Sequence, residues 1–302
     1  MRKIVECIPN FSTSDPKVVE AILDEIKRVQ NACLLDHTFD SYYNRLVVSF
    51  IGDEDSVLQA ALSSATKAIA LIDMNKHRGQ HPRVGAMDVV PFVPIRNATM
   101  EDCVELARAF GRRLAEARNI PVYLYGEAAL RPEAKDIDWV RQGEYEGLYE
   151  MMKRPGRQPD FGPRQPHPTA GATIVGARRI MVGFNVNLGT PNLEVARRVA
   201  GAVHAKKGGL ADVRAMAASI PEKSLTQVGM SIGDFKKTPL YRVLELVKIE
   251  AERYGVPIVG AEFCGLVPLQ AIIDVAKYYI KVEELEEGRI LEIAVQKALE
   301  QT

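Results

Sequence analysis

The sequence predicts an α+β fold of two successive βαββαβ units. Three observations carry that expectation. Short apolar runs bounded by Gly, Pro, Asn and Asp alternate with amphipathic segments of helical period. The order of these segments in the first half, β-α-β-β-α-β, recurs in the second. The chain has 302 residues, 47% of them hydrophobic, which is enough for one large domain or two of ordinary size.

Residues 4–11 read as a strand, and residues 15–29 as a helix with Val18, Ile22, Ile26 and Val29 on one face. Strands follow at 33–37 and 46–51, then a long apolar helix at 55–72. Residues 87–95 form a strand whose prolines at 91 and 94 kink it or place it at a sheet edge. Thr99 N-caps a helix over 100–118, with Asp102 at its positive end, and a strand occupies 122–125. The lone Trp139 reads as a packing residue. Residues 153–176 (KRPGRQPDFGPRQPHPTAGATIVG) are rich in Pro and Gly and mark a boundary or a functional loop.

In the second half, strands are expected at 180–188, 213–220, 225–232 and 257–263. Helices are expected at 193–206 and 240–254, and two helical segments between 269 and 298. No clear sequence repeat accompanies the repeated order. That order is the split βαβ, ferredoxin-like pattern. Two such units, each with one open sheet face, would pack around a cleft or tunnel.

Composition excludes several function classes. Thirty-nine basic and 39 acidic residues give zero formal charge, against a nucleic-acid partner. Cys7, Cys33, Cys103 and Cys264 form no CxxC pair, so a reduced, cytoplasmic protein is expected. No signal pattern opens the chain and no apolar run approaches the roughly 20 residues of a membrane span. GxxxxGK[ST], GxSxG and GxGxxG are absent, and the cysteines lack adjacent His partners, so a thiol nucleophile is unsupported.

The segment His77-Arg78-Gly79-Gln80-His81-Pro82-Arg83-Val84-Gly85-Ala86 carries the most chemistry. Histidine changes charge nearest neutral pH. Pro82 pushes residue 81 toward an extended backbone, so His81 is presented from a stiff loop suited to acid–base work. The His77/His81 spacing would suit a metal on a continuous helix, but Gly79 and Pro82 break it and no further ligands complete a site, so no metal is expected. Ordinary surface histidines are the plain alternative. Asp36, Asp40, Asp73 and Asp88 are the acids near enough in sequence to orient an imidazole, and sequence does not choose among them. Two further features are the runs PDFGP and PTAGA, which expose backbone N–H groups or simply link domains, and Asn44-Arg45 with Asn10. Arginine suits bidentate carboxylate recognition.

At these residues a family resemblance emerges. VECIPNFS at 5–12, LIDMNKHRGQHPRVGAMDVVPFVPIR at 71–96, IPVYLYGEAA at 120–129, RQGEYEGL at 141–148, PDFGP at 159–163, GATIVGAR at 171–178, FNVNL at 184–188 and GLVPL at 265–269 resemble the formiminotransferase domain of the formiminotransferase-cyclodeaminase family. The match spans essentially the whole chain, in the manner of the family's stand-alone form. It implies two ferredoxin-like subdomains, residues 1–180 and 181–302, with tetrahydrofolate bound as co-substrate in a tunnel between them. It implies glutamate formimidoyltransferase activity: transfer of the formimino group from N-formimidoyl-L-glutamate to N5 of tetrahydrofolate, in histidine degradation and one-carbon metabolism. The resemblance also implies a catalytic histidine, and the position that matches it is His81, not His77. The folate loop matches Gly162 to Gly171. Gly162, Pro163, Pro168 and Gly171 follow the family, and Arg164-Gln165-Pro166-His167 depart from it, as does NFSTSDP near the first strand.

Binding residues expected on this basis are Gly162, Pro163, Arg164, Pro168, Thr169, Ala170, Gly171, Asn10, Arg45, His77 and Arg83. Arg45, Arg83 and Arg164 are candidate carboxylate clamps. One imidazole would take a proton from the attacking amine and return it to the leaving amine, with no covalent intermediate. A homodimer without nucleic-acid or membrane partners is expected. Two alternatives keep the fold: an N-formylglutamate:tetrahydrofolate formyltransferase, and a non-catalytic folate-binding protein.

Overall fold

The computed structural model describes residues 2–300; residues 1, 301 and 302, at the ends of the two expected subdomains, lie outside the described residues. The chain divides into two compact units, Met1–Arg179 and Ile180–Thr302.

The first unit holds β1 (Ile4–Cys7), β2 (Asn10–Phe11), α1 (Pro16–Lys27), β3 (Cys33–Asp40), β4 (Arg45–Gly52), α2 (Glu54–Leu71), β5 (Met87–Arg96), α3 (Met100–Arg118), β6 (Val122–Gly126), α4 (Ile137–Val140), α5 (Glu144–Lys153) and β7 (Thr173–Ala177). The expected first strand is broken at Ile8-Pro9 into β1 and β2, both of which pair with β4 and β5. Taking these two as one strand, the sheet runs β3, β4, β1/β2, β5, β7, β6. Its first four positions are the antiparallel ferredoxin-like order, and β7 and β6 extend it in parallel. Asp15, Asp53 and Thr99 cap α1, α2 and α3, the last through a full capping box with Asp102. The three helices bury Val5, Phe11, Phe50, Phe92 and Phe110 against one sheet face.

Three expectations are corrected. β5 is interior: β1 and β2 flank one side and β7 the other. Its prolines are tolerated because the pairing is irregular where they fall. Pro91 lies opposite the β1–β2 break, where its carbonyl accepts from Ile8 N (3.1 Å). Pro94 lies beside a register shift and past the residues that β7 pairs with. Second, residues 173–176 of the Pro/Gly-rich stretch enter β7, an interior strand, and the stretch lies inside the first unit. Third, the sheet's other face is not wholly open. Over β5, β6 and β7 it is covered by α4 and α5, which bury Val89, Tyr123, Tyr125 and Ile174 with Ile137, Leu148 and Met152.

The second unit runs β8 (Val182–Leu188), α6 (Leu193–Val203), β9 (Val213–Ile220), β10 (Leu225–Ile232), α7 (Leu240–Glu252), β11 (Ile258–Cys264), α8 (Leu269–Ile280) and α9 (Leu291–Leu299). Its antiparallel sheet has the order β11, β8, β10, β9, again ferredoxin-like. Val182, Phe184, Val186 and Leu188 of β8 bury against the helices, leaving Asn185 and Asn187 on the other face. There Gln227 donates to Asn187 Oδ1 (2.8 Å) and Glu262 Oε1 (2.9 Å).

Among the described residues no helix is long and apolar enough to cross a membrane, and no group of three or more His, Cys, Asp and Glu could hold a metal ion.

Candidate active site

The site begins with strand alternation. β4 sends Leu46, Val48 and Phe50 into the helix-covered core, so Arg45 points to the opposite face. Asn10 shares that face, because it pairs with Val47 while Phe11 pairs with Leu46. Opposite Asn10 and Phe11, β5 offers Val89 and Met87, which leaves Asp88 as an extra residue in a β-bulge. Bulges re-aim side chains. Here the bulge turns Asp88 into the polar cluster with only 1% of its surface exposed.

The cluster is centred on two guanidiniums. Arg45 donates from Nε (2.9 Å) and Nη2 to Asn10 Oδ1, and from Nη1 to Asp88 Oδ2 (3.3 Å). Arg141, at the end of α4, donates from Nη2 to the same Asp88 oxygen. The other Asp88 oxygen accepts from Val84 N (2.8 Å). Two cations therefore share one buried anion.

His81 abuts this cluster. Its Nδ1 lies 2.6 Å from Arg45 Nη1 and 2.7 Å from the Pro82 carbonyl oxygen, and its ring meets Tyr43 edge-on. The two Nδ1 neighbours make opposite demands. A guanidinium N–H requires a lone pair there, and a carbonyl requires a proton. Among the described residues nothing bonds Nε2. Burial, reinforced by the charges of Arg45 and Arg141, holds the imidazole well below its ordinary pKa, and the Pro82 carbonyl only partly offsets this. His81 is thus neutral at physiological pH.

The loop that carries His81 is fastened on two sides. Toward the β3–β4 turn, Asn44 Nδ2 donates to Arg78 O (2.8 Å). Gly79 is needed there, since a Cβ would sit 2.3 Å from Tyr43 O. Toward residues 167–172, Met74 N donates to Thr169 O (2.7 Å), Ala86 N to Ala170 O (2.9 Å) and Ala172 N to Val84 O (3.0 Å). A Cβ on Gly85 would lie 2.0 Å from Ala172 O.

His77 has a different environment. Arg83 Nε donates to its Nδ1 (3.3 Å), so Nε2 carries the proton and donates to Asn44 O (2.9 Å). Burial lowers its pKa. Arg83 is buried and grips Glu146 with both terminal nitrogens, at 2.7 and 2.6 Å.

The comparisons with known proteins identify the chain. Residues 4–178 match the model of the formiminotransferase domain, N-terminal subdomain, and residues 183–300 that of the formiminotransferase domain. This chain belongs to the formiminotransferase family. It is 46% identical to a glutamate formimidoyltransferase of Thermoplasma acidophilum over 98% of both chains. A Streptococcus pyogenes glutamate formimidoyltransferase is 42% identical, over 95% of this chain and 96% of the relative. The rat formimidoyltransferase-cyclodeaminase is 43% identical, over 96% of this chain and 56% of the relative.

For this formiminotransferase, the structure brings some of the expected site residues together and separates others. Asn10, Arg45 and His81 are in one hydrogen-bonded cluster. Pro168, Thr169, Ala170 and Gly171 join the His81 loop through backbone groups, and Asn75 Nδ2 also donates to Pro168 O (2.9 Å). Gly162 and Pro163 lie elsewhere, lining a pocket with Arg112, Ala115 and Asn119 at the end of α3. Gly162 is packed there against Ile120 O. Arg164 is exposed and makes no hydrogen bond or ion pair with the described residues. His77 and Arg83 face protein partners. Of the four candidate acids, only Asp88 reaches His81, and it does so through Arg45. Asp40 instead accepts from Tyr43 N, and Asp73 from Asn75. Sequence reasoning did not assign Arg141 a role. Its place in the RQGEYEGL run was the available signal, but no spacing tied it to residue 88.

Proposed function

We propose that the chain transfers a formimino group from N-formimidoyl-L-glutamate to N5 of tetrahydrofolate, releasing L-glutamate and 5-formimidoyltetrahydrofolate. The observation that carries this reading is His81. Its imidazole, held below its ordinary pKa by burial, has Nε2 unbonded among the described residues and lies beside two guanidiniums that share a single carboxylate, in a chain of the formiminotransferase family.

The N5 amine attacks the amidine carbon, giving a tetrahedral centre that holds N5, the formimino nitrogen and the glutamate nitrogen. His81 Nε2 accepts the proton that N5 must lose. It then delivers that proton to the glutamate nitrogen as the old C–N bond breaks. The neutral imidazole is the form a base requires. Much of the remaining acceleration comes from holding two substrates in contact. Asn10 orients Arg45 through its side-chain oxygen. His77, tied between Arg83 and Asn44, positions the loop. The folate loop contributes backbone groups around Pro168–Gly171 and, at its exposed part, Arg164. The homodimer and the cytoplasmic setting belong to the same reading.

The test is turnover. The purified chain is given tetrahydrofolate with N-formimidoyl-L-glutamate or with N-formyl-L-glutamate, and glutamate release is followed. Release from the formimino donor alone supports the proposal. Release from the formyl donor alone shifts it to formyl transfer, and tight folate binding without release from either makes the chain a folate-binding protein.

A further inference from the structure

The polar cluster is unbalanced. Arg45 and Arg141 present two positive charges, Asp88 returns one negative charge, and His81 adds none. Guanidiniums with donors left over make strong, directional carboxylate sites. Of the five N–H groups of Arg45, Asn10 takes two, and Asp88 and His81 one each, so a single N–H remains. Arg141 has more to give. Its Nε is buried without a partner among the described residues, and only Nη2 is bonded, to Asp88. A buried donor left unsatisfied in the free protein is costly unless a ligand completes it.

We propose that Arg141, with the remaining N–H of Arg45, receives the α-carboxylate of the amino-acid donor. This deepens the formimino-transfer reading and rests on it. The α-carboxylate is the choice because it sits one carbon from the nitrogen that bears the transferred group. A guanidinium beside the His81 imidazole can reach it, and the side-chain carboxylate of a glutamyl donor lies two methylenes further away.

The assignment also resolves the conflict at His81. A carboxylate held by Arg141 and by the free Nη2–H of Arg45 pulls the Arg45 guanidinium toward itself, and with it Nη1 away from Nδ1, leaving Nδ1–H to donate to the Pro82 carbonyl. The lone pair is then on Nε2, where the proton is to be taken. Donor binding thereby sets the working tautomer. The groups facing the imidazole are Arg45 from β4, Arg141 from the end of α4, the Pro82 carbonyl and the Tyr43 ring, with Asp88 of β5 behind the arginines.

The experiment pairs two variants with two donors. Arg141→Gln removes the charge, and Arg141→Lys keeps it and holds Asp88 neutralised should the glutamine variant fold poorly. The donors are N-formimidoyl-L-glutamate and its α-carboxamide. The native chain should prefer the carboxylate donor by about tenfold to a hundredfold in kcat/KM. Arg141→Gln should lose most of that preference by raising the KM of the carboxylate donor, while the KM for tetrahydrofolate stays within about twofold. The acid limb of kcat/KM should move to higher pH, because a positive charge facing His81 is gone. Arg141→Lys should keep part of the preference. A preference that survives Arg141→Gln, or a tetrahydrofolate KM that rises as much as the donor KM, overturns the assignment. A native chain inactive on every formimino donor instead defeats the functional reading beneath it.

Discussion

Asp88→Asn is the most exposing perturbation of this site. Asp88 is 1% exposed and, among the described residues, is the only carboxylate bonded to Arg45 and Arg141, whose side chains are 14% and 13% exposed. An amide of the same shape cannot neutralise either, so two guanidiniums face each other across a nearly dry space. Breaking a buried pair by removing one partner costs about 3–5 kcal/mol. The slight exposure of both arginines places the expectation at the lower end, about 3 kcal/mol. For the 179 residues of the first unit, each kcal/mol moves the melting temperature by roughly 2–4 °C, so a fall of about 6–12 °C follows. The assay is thermal unfolding by circular dichroism near neutral pH. Arg141→Gln and the double variant run beside it. Because the loss comes from uncompensated charge, the double variant should be more stable than additivity predicts, by about 1–3 kcal/mol. A fall under about 2 °C for Asp88→Asn, or strict additivity, would refute the reasoning.

His81→Ala should abolish most turnover while keeping tetrahydrofolate affinity within about threefold, as kinetics and equilibrium titration together would show. Stability should also depend on acid in a defined direction. Both His77 and His81 are held below the ordinary 6.5, so their contribution is present above that pH and lost as pH falls through it. Urea unfolding should register a progressive loss of stability on acidification below 6.5, with His81→Asn removing the larger part of the dependence. Gly85→Ala places a methyl against two carbonyls and should cost at least about 1–3 kcal/mol, read by the same unfolding assay. Arg164→Ala should leave stability within about 0.5 kcal/mol. If its side chain meets the folate tail, the KM for tetrahydrofolate rises by about two- to fivefold, as expected of an exposed ion pair.

What was legible in the sequence follows from how far each signal reaches along the chain. The helix over Met100–Arg118 and the strands Val213–Ile220 and Leu225–Ile232 have local caps and alternation, and the structure reproduces those bounds. β7 was hidden because Thr173–Ala177 follows a long Pro/Gly-rich run and its pairing partners are distant, β5 and β6. The interior position of β5 was hidden for a related reason. Proline argues for an edge only when the neighbouring ladder is regular, and here β1 and β2 are interrupted opposite Pro91. In the candidate site, His81 was visible through its own neighbours, Gly79 and Pro82. Arg141 and the place of Asp88 depend on a bulge and on a 53-residue separation, which no local pattern encodes.

That distribution has a chemical logic. On the proposed reading, a proton-transferring imidazole must be stiffly held but must exchange its proton readily, and the surroundings of His81 supply these two properties from different parts. Stiffness comes from backbone. Gly79, Gly85 and Gly171 each let the chain approach a carbonyl where a Cβ would clash, joining the His81 loop to the β3–β4 turn and to residues 167–172. Proton affinity is set by burial and, beyond it, by the charges of Arg45 and Arg141, whose side chains meet at Asp88 across β4, β5 and the end of α4. A glycine substitution should therefore lower kcat by misplacing His81 while leaving the pH profile unmoved. A charge substitution at Arg141 should move the profile while leaving the loop in place. Finding the two effects exchanged, with Gly79→Ala shifting the acid limb and Arg141→Gln loosening the loop in hydrogen exchange, would show that position and proton affinity are not separately controlled.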